Sequence, residues 1–131
     1  MIKSYKELEI YQEGYELLKE IYEITSKYPK EEQYVMLTQI RRAALSIVLN
    51  IAEGYGRQSK DDFKRFLKMS FGSVNEVEVL LELSKDLKYI SEEQYNGIIG
   101  KYNTLGKRIY TLMIKWQKKK REKSGGDKSA L

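Results

Sequence analysis

Apolar residues recur along the chain at intervals of three and four, the spacing of one face of an α-helix. The recurrence breaks near Pro29, near Gly54 and near Ser91, and no stretch shows the sustained alternation of a β-strand. We therefore predict an all-α fold, an up-and-down antiparallel four-helix bundle with short connections. Its helices are expected at residues 5–26, 30–53, 59–88 and 91–120. Residues 1–120 then form the bundle, and residues 121–131 are expected to be a disordered polar tail.

The breaks contain recognisable helix signals. Pro29 ends the first helix, because the residue before a proline avoids the helical region. Gly54 and Gly56 are expected to end the second helix in left-handed or loose backbone. Serines at 59 and 91 are expected to cap the third and fourth helices, each with a polar residue three positions later, at Asp62 and Gln94.

Two of the predicted helices carry more apolar residues than one buried stripe requires. The first helix has a stripe through Tyr11, Tyr15 and Tyr22 and a second one beside it through Leu17 and Ile21. The third helix has an extra set on a different face, formed by Met69, Leu80, Leu83 and Leu87. Because a contiguous apolar surface is rarely left exposed to water, the second stripes predict a homo-oligomer.

Composition excludes several kinds of chemistry. The chain has no cysteine and no histidine, which removes disulfides, thiolate catalysis, most zinc sites and the usual general base. No apolar run is long enough to span a membrane and no signal-peptide pattern opens the chain, so a cytoplasmic location is expected. The net charge of +5 comes from the last helix and tail, a polarity compatible with nucleic-acid contact or with a solubilising end.

Polar side chains follow one another down the second helix within its apolar pattern. Arg42, Ser46, Asn50 and Glu53 fall on one face. One interpretation is a hydrogen-bond network that fixes helix register, in which Arg41 or Arg42 pairs with Glu53 or Glu76; the other is phosphate contact by these arginines. We predict the network, and no catalytic residue, metal site or cofactor. Its members are expected to be Arg41, Arg42, Ser46, Asn50, Glu53, Ser73 and Glu76.

A second group of charges begins just after the glycine-rich break. Basic residues recur there at helical spacing and again near the C-terminus, which suits charge-driven contact with a phosphate backbone rather than base readout. Asp61 and Asp62 lie among them and also favour a helix N-terminus. The nucleic-acid-binding candidates are Arg57, Lys60, Lys64, Arg65, Lys68, Lys118, Lys119, Lys120 and Arg121.

Three segments carry a family resemblance: YKELEIYQEGYELLKEIYEIT, LTQIRRAALSIVLNIAEGYGRQS and FKRFLKMSFGSVNEVEVLLELSKDLKYI. With them the chain resembles the S23 ribosomal protein family, the four-helix-bundle proteins encoded by intervening sequences in bacterial 23S ribosomal RNA genes. The resemblance implies an up-down bundle assembled as a cyclic homopentamer. The accessory variability protein of diversity-generating retroelements, which binds nucleic acid and a reverse transcriptase, looks similar in fold.

The resemblance carries no established function and no proven catalytic residue. The chain departs from the family at Leu49, where relatives often have a small polar residue, and the leucine favours packing on that side of the second helix. Our hypothesis is a non-enzymatic oligomeric bundle that binds RNA or DNA without strong sequence preference. The alternatives are a scaffold for a protein partner such as a reverse transcriptase, or a passenger of the intervening sequence with no binding task.

Overall fold

The computed structural model describes the backbone of residues 4–32 and 35–123, and side chains in those ranges as far as residue 115. This part of the chain contains α1 (Glu9–Thr25), α2 (Met36–Gly56), α3 (Lys60–Asp86) and α4 (Glu92–Lys123). Short 3₁₀ helices lie at Tyr5–Glu7 and Lys30–Glu32, and no strand occurs in the described ranges. The all-α prediction is confirmed. Helix α4 continues to Lys123, beyond the predicted end, and residues 124–131 lie outside the described ones.

The predicted bounds of α2 were wrong at both ends. The helix begins at Met36 rather than at Lys30, and Lys30–Glu32 form a separate 3₁₀ helix before it. It also continues through both glycines to Gly56. No described glycine has a positive φ; the left-handed residue after α2 is Gln58, with φ 56°, and the one after α3 is Lys88, with φ 64°.

Gly54 is required by packing and not by backbone conformation. A Cβ atom at this position would lie 2.5 Å from the Cβ of Phe66, closer than real side chains approach. The missing side chain lets the end of α2 lie directly against the start of α3.

Both predicted serine caps are confirmed. The Ser59 hydroxyl accepts a hydrogen bond from the Asp62 amide at 3.3 Å. Ser91 and Gln94 form a reciprocal capping box: the Ser91 hydroxyl accepts from the Gln94 amide at 3.0 Å, and the Gln94 side chain accepts from the Ser91 amide at 2.9 Å.

Each helix packs antiparallel against the next, and α4 returns to α1. Ser46 of α2 meets Ser73 of α3, Glu78 of α3 meets Asn103 of α4, and Glu20 of α1 meets Lys101 of α4. The core between the helices is apolar and well sealed. Its fully buried side chains include Ile21, Ile40, Ile51, Leu67, Val77, Leu81, Tyr102, Leu105 and Ile109.

The additional apolar stripes divide between core and surface. On α1, Leu17 and Ile21 are buried, whereas Tyr15 and Tyr22 are nearly half exposed. The extra set on α3 faces water for the most part. Met69, Leu83 and Leu87 are exposed, and Leu80 is partly buried.

Candidate nucleic-acid interface and the α2–α3 polar seam

The polar stripe of α2 lies along its contact with α3, and we call this line the α2–α3 seam. The hydroxyls of Ser46 and Ser73 are 2.9 Å apart, and the Asn50 amide donates to the Ser46 hydroxyl at 3.0 Å and to the Ser46 carbonyl at 2.9 Å. Nearer the start of α2, the Gln39 amide donates to the Glu76 carboxylate at 3.0 Å. These bonds link the two helices at two levels, so a slip of one turn would break them.

The two adjacent arginines of α2 face different ways. The Arg41 guanidinium donates to the Thr25 hydroxyl at 2.9 Å and to the Tyr22 carbonyl at 3.2 Å, and it lies 4.3 Å from the centre of the Tyr22 ring. Arg41 therefore caps the C-terminal turn of α1 by donating to a carbonyl there. Arg42 is exposed on the outside of α2.

The structure does not join either arginine to the expected carboxylates. Glu53 accepts from Arg57 at 3.2 Å, one turn further along α2, while Glu76 accepts from Gln39. The expected ion pair of Arg41 or Arg42 with Glu53 or Glu76 is therefore not formed among the described residues. A hundred-degree rotation separates neighbouring helical residues, so Arg41 turns toward α1 and leaves the seam.

Two of the basic candidates meet on one aromatic ring. Arg57 at the end of α2 and Arg65 on α3 both lie over the Phe66 ring, at 5.3 Å and 4.7 Å from its centre. Each also has a carboxylate, Arg57 with Glu53 and Arg65 with Asp62 at 3.3 Å. Both pairs are solvent-exposed, so they reduce the local positive field without holding the arginines rigidly.

Two of the three lysine candidates of α3 lie on another side of the helix. Phe71 packs against Tyr110 of α4 with ring centres 5.6 Å apart, which marks the α4 side of α3. Lys64 lies two turns before Phe71, Lys60 one turn before that, and Lys68 three residues before Phe71. Lys60 and Lys64 thus lie on the Phe71 side of α3, while Lys68 is three residues after Arg65 and is its neighbour on the helix surface.

The C-terminal candidates lie on the last turns of α4. The pairings of Phe71 with Tyr110 and of Glu78 with Asn103 set the antiparallel register of α3 and α4. Continuing that register brings residues 118–121 level with the first turn of α3, at the same end of the bundle as Lys60 and Lys64. The side chains of Lys118, Lys119, Lys120 and Arg121 lie outside the described ones.

Other basic residues of α4 serve the fold. Lys101 contacts Glu20 at 3.2 Å, and Arg108 pairs with Glu13, which joins α4 to α1 across a groove of about 540 Å³. The sequence analysis missed these bridges. The signal was present, because Glu13 and Glu20 are seven residues apart and so are Lys101 and Arg108. Antiparallel helices with matched seven-residue spacings place opposite charges level.

Tyrosine hydroxyls hold the connections of the bundle. The Tyr28 hydroxyl donates to the Ser84 hydroxyl at 2.6 Å, and Tyr89 donates to Glu32 at 2.8 Å. Burial raises the pKa of the Tyr28 hydroxyl, and the hydrogen bond to Glu32 raises the pKa of Tyr89. Tyr102 is different: its hydroxyl is fully buried without a hydrogen-bond partner among the described residues, and burial raises its pKa far above the ordinary value.

No group of acidic residues that could hold a metal ion occurs in the described ranges. The same ranges contain no helix with the length and apolar content needed to cross a bilayer.

Comparison with known proteins gives a family. The family model described as 23S rRNA-intervening sequence protein matches residues 6–111. A similar solved structure is the crystal structure of a protein with unknown function from the S23 ribosomal protein family of Bacteroides thetaiotaomicron VPI-5482. It is 28% identical, the match covers 79% of this chain and 97% of that one, and the TM-score is 0.74. No curated protein matches the chain.

Proposed function

Because the chain belongs to the 23S rRNA-intervening sequence protein family, we propose that it is a non-enzymatic bundle that assembles from several copies and binds RNA through charge. The expected assembly is the cyclic pentamer implied by the sequence resemblance. DNA would satisfy the same phosphate chemistry. The family's description refers to a ribosomal RNA gene, which makes RNA the first ligand to test, and a cytoplasmic location is part of the proposal.

One observation carries the RNA proposal: lysine positions on two helices lie at the same end of the bundle. Lys60, Lys64 and Lys68 line the start of α3, and the lysine-rich residues 118–121 of α4 reach the same level. A row of cations at one-turn spacing can follow a phosphate backbone, and its affinity comes from released counterions. Asp61 and Asp62 at the first turn of α3 lower the field but stabilise the helix N-terminus.

The same end of the molecule has little capacity to distinguish bases. Phe66, the aromatic ring closest to the arginines, is buried to all but 8% of its surface and cannot stack on a base. Binding should therefore depend on charge and on the shape of the RNA, with little dependence on sequence.

The test is a gel-shift titration of a ribosomal RNA fragment against the Lys64→Glu/Lys68→Glu double variant. Lys19→Glu/Lys27→Glu is the matched control, since it makes the same charge change on exposed residues of α1 and its C-terminal end. Wild-type affinity should fall steeply between about 50 and 200 mM salt, and the α3 variant should reduce the logarithmic salt slope by about 2. Binding that is insensitive to salt, or equal losses in both variants, would contradict the proposal.

A second candidate function is a scaffold for a protein partner such as a reverse transcriptase. The observation that favours it is the set of exposed apolar residues on α2 and α3, including Leu49 at 57% exposure and Val79 at 64%. Pull-down with the product of the neighbouring gene tests this function. Specific capture without RNA binding would favour the scaffold, and neither activity would favour a passenger role.

A further inference from the structure

The exposed apolar residues of α2 and α3 belong to two parallel rows of residues, apolar and polar, that have the spacing of helix–helix contacts. The α2 row consists of Thr38, Arg42, Leu45, Leu49, Ala52 and Gly56. The α3 row consists of Arg65, Met69, Gly72, Glu76, Val79 and Leu83. Successive members of each row are four, three, four, three and four residues apart, which is the a/d repeat of packed helices. Together the rows define the α2–α3 outer face, about 27 Å long.

This face differs from the rest of the bundle surface. The outward residues of α1 are Gln12, Glu16, Lys19 and Glu23, and those of α4 are Gly97, Gly100, Thr104, Lys107 and Thr111. The first and last helices also expose a few apolar side chains, Tyr15 and Tyr22 on α1 and Tyr110 and Ile114 on α4, but the most exposed aliphatic side chains of the four helices, Leu49 and Val79, lie on α2 and α3. A concentration of exposed aliphatic side chains on one side indicates a contact that is complete only with a further molecule.

Small residues make the face suitable for close helix packing. Gly72 lies in the middle of the α3 row, and a Cβ atom there would have no neighbour within 4 Å. Nothing inside the chain therefore requires glycine at this position. Within a helix interior glycine is unfavourable by roughly 1 kcal/mol relative to alanine, so its presence beside Met69 fits a site where another helix approaches closely.

Four charged residues at this face form ion pairs within the chain, and two do not. Arg57 pairs with Glu53 and Arg65 pairs with Asp62 at the end near the α2–α3 connection. In the described part of the chain Arg42 has no carboxylate in ion-pair contact, and Glu76 is bonded only to the Gln39 amide. One cation and one anion are left on the same face, so the cation of one copy can meet the anion of the next copy.

Arg42 and Glu76 also lie at similar heights along the bundle. The bonds from Gln39 to Glu76 and from Ser46 to Ser73 place Arg42 of α2 close to the level of Glu76 on α3. A contact repeated around an axis parallel to the helices keeps each residue at its own level. Arg42 of one copy then reaches Glu76 of the next.

From this arrangement we propose that the α2–α3 outer face is the surface on which copies of this chain assemble, with Arg42 of one copy paired to Glu76 of its neighbour. The inference rests on the self-assembly part of the proposed function and gives it a location. Lys60 and Lys64 of the RNA site lie on the Phe71 side of α3, away from the assembly surface, whereas Lys68 lies beside it, three turns before Val79.

The first test measures molar mass by light scattering for the wild type and for two variants. Leu49→Glu places a charge at the centre of the face, and Ile114→Glu is the matched control, an apolar side chain 43% exposed on α4. We expect Leu49→Glu to be monomeric at a concentration where the wild type and Ile114→Glu are oligomeric. Circular dichroism should show unchanged helix content in both variants, since both side chains are exposed.

The second test uses charge reversal. Arg42→Glu and Glu76→Arg should each weaken assembly, and mixing the two variants should restore much of it, since every contact between unlike variants joins opposite charges. Restoration by mixing occurs only for a contact between chains, so it distinguishes the proposed pair from a pair within one chain. Two reversed variants that stay dissociated when mixed would overturn the pairing.

The outcomes also separate this inference from the proposed function. A wild type that is monomeric at micromolar concentration would overturn both the proposed assembly surface and the self-assembly. The α2–α3 outer face would then be assigned to contact with a different protein. An oligomer whose mass is unchanged by Leu49→Glu would overturn the face alone. RNA binding by the lysine variants is measured in a separate experiment, so a loss of RNA binding does not change the conclusion about assembly.

Discussion

The isolated hydroxyl of Tyr102 offers the sharpest test of the packing described above. Tyr102 lies in the core with no exposed surface, and its hydroxyl has no hydrogen-bond partner among the described residues. Tyr28 carries the same group in the opposite situation, since its buried hydroxyl donates to Ser84 at 2.6 Å. The substitution of tyrosine by phenylalanine should therefore change the free energy of unfolding with opposite signs at the two positions.

The magnitudes follow from the cost of burying a polar group. Leaving a hydroxyl unsatisfied in the interior costs about 1–3 kcal/mol, so Tyr102→Phe should stabilise the protein by about 1 kcal/mol or more. Tyr28→Phe removes a hydrogen bond worth about 1 kcal/mol and takes a partner from the buried Ser84. Each kcal/mol corresponds to about 4 °C in Tm for a chain of 131 residues.

Thermal unfolding followed by circular dichroism measures both variants, at one fixed protein concentration because assembly shifts Tm. Stability measured above pH 10 supplies a second readout. Burial raises the folded pKa of the Tyr102 hydroxyl above the unfolded value near 10. The hydroxyl is protonated in both states below pH 10, and ionisation of the unfolded chain lowers the free energy of unfolding as pH rises further. Tyr102→Phe should retain more stability than the wild type above pH 10. A lower Tm for Tyr102→Phe would refute the assignment of an unpartnered hydroxyl.

Three further substitutions and one control, Gly97→Ala, test local features of the fold by the same thermal assay. Gly54→Ala should destabilise by about 1–3 kcal/mol, because its Cβ would meet Phe66; Gly97→Ala, with open space around it, should be neutral or stabilising, and equal effects would contradict the packing role. Ser91→Ala should cost about 1 kcal/mol through the lost capping box, and an unchanged Tm would count against that cap. Gln58→Gly should stabilise by about 0.5–1 kcal/mol, since only its left-handed φ is relieved; a lower Tm would show that the Gln58 side chain contributes.

The features that local sequence determines were predictable. Serine caps act over three residues, and both were identified from the sequence before any packing was known. The role of Gly54 could not be found in the same way, because it depends on Phe66 of the next helix. A glycine near a helix end is compatible with a left-handed residue and with a close approach, and only the partner decides between them.

The candidate sites show the same limit. The seam residues Ser46 and Ser73 were grouped correctly in space because both lie on polar stripes of neighbouring helices. The roles of Arg41 and Arg42 could not be distinguished from the sequence, since either side chain could have faced a neighbouring helix. Their separation depends on the C-terminal turn of α1, where Tyr22 offers a carbonyl and a ring to Arg41 alone.

The groove between α1 and α4 has a consequence for the way the bundle opens. Across it the two helices are joined by Lys101 with Glu20 and by Arg108 with Glu13, which are exposed ion pairs of the kind that contribute little to stability. The α2–α3 pair has a glycine contact and hydroxyl bonds along its length. Amide protons of α1 should therefore exchange with solvent before those of α2 and α3, through a sub-global opening in which the first helix detaches and a three-helix unit remains.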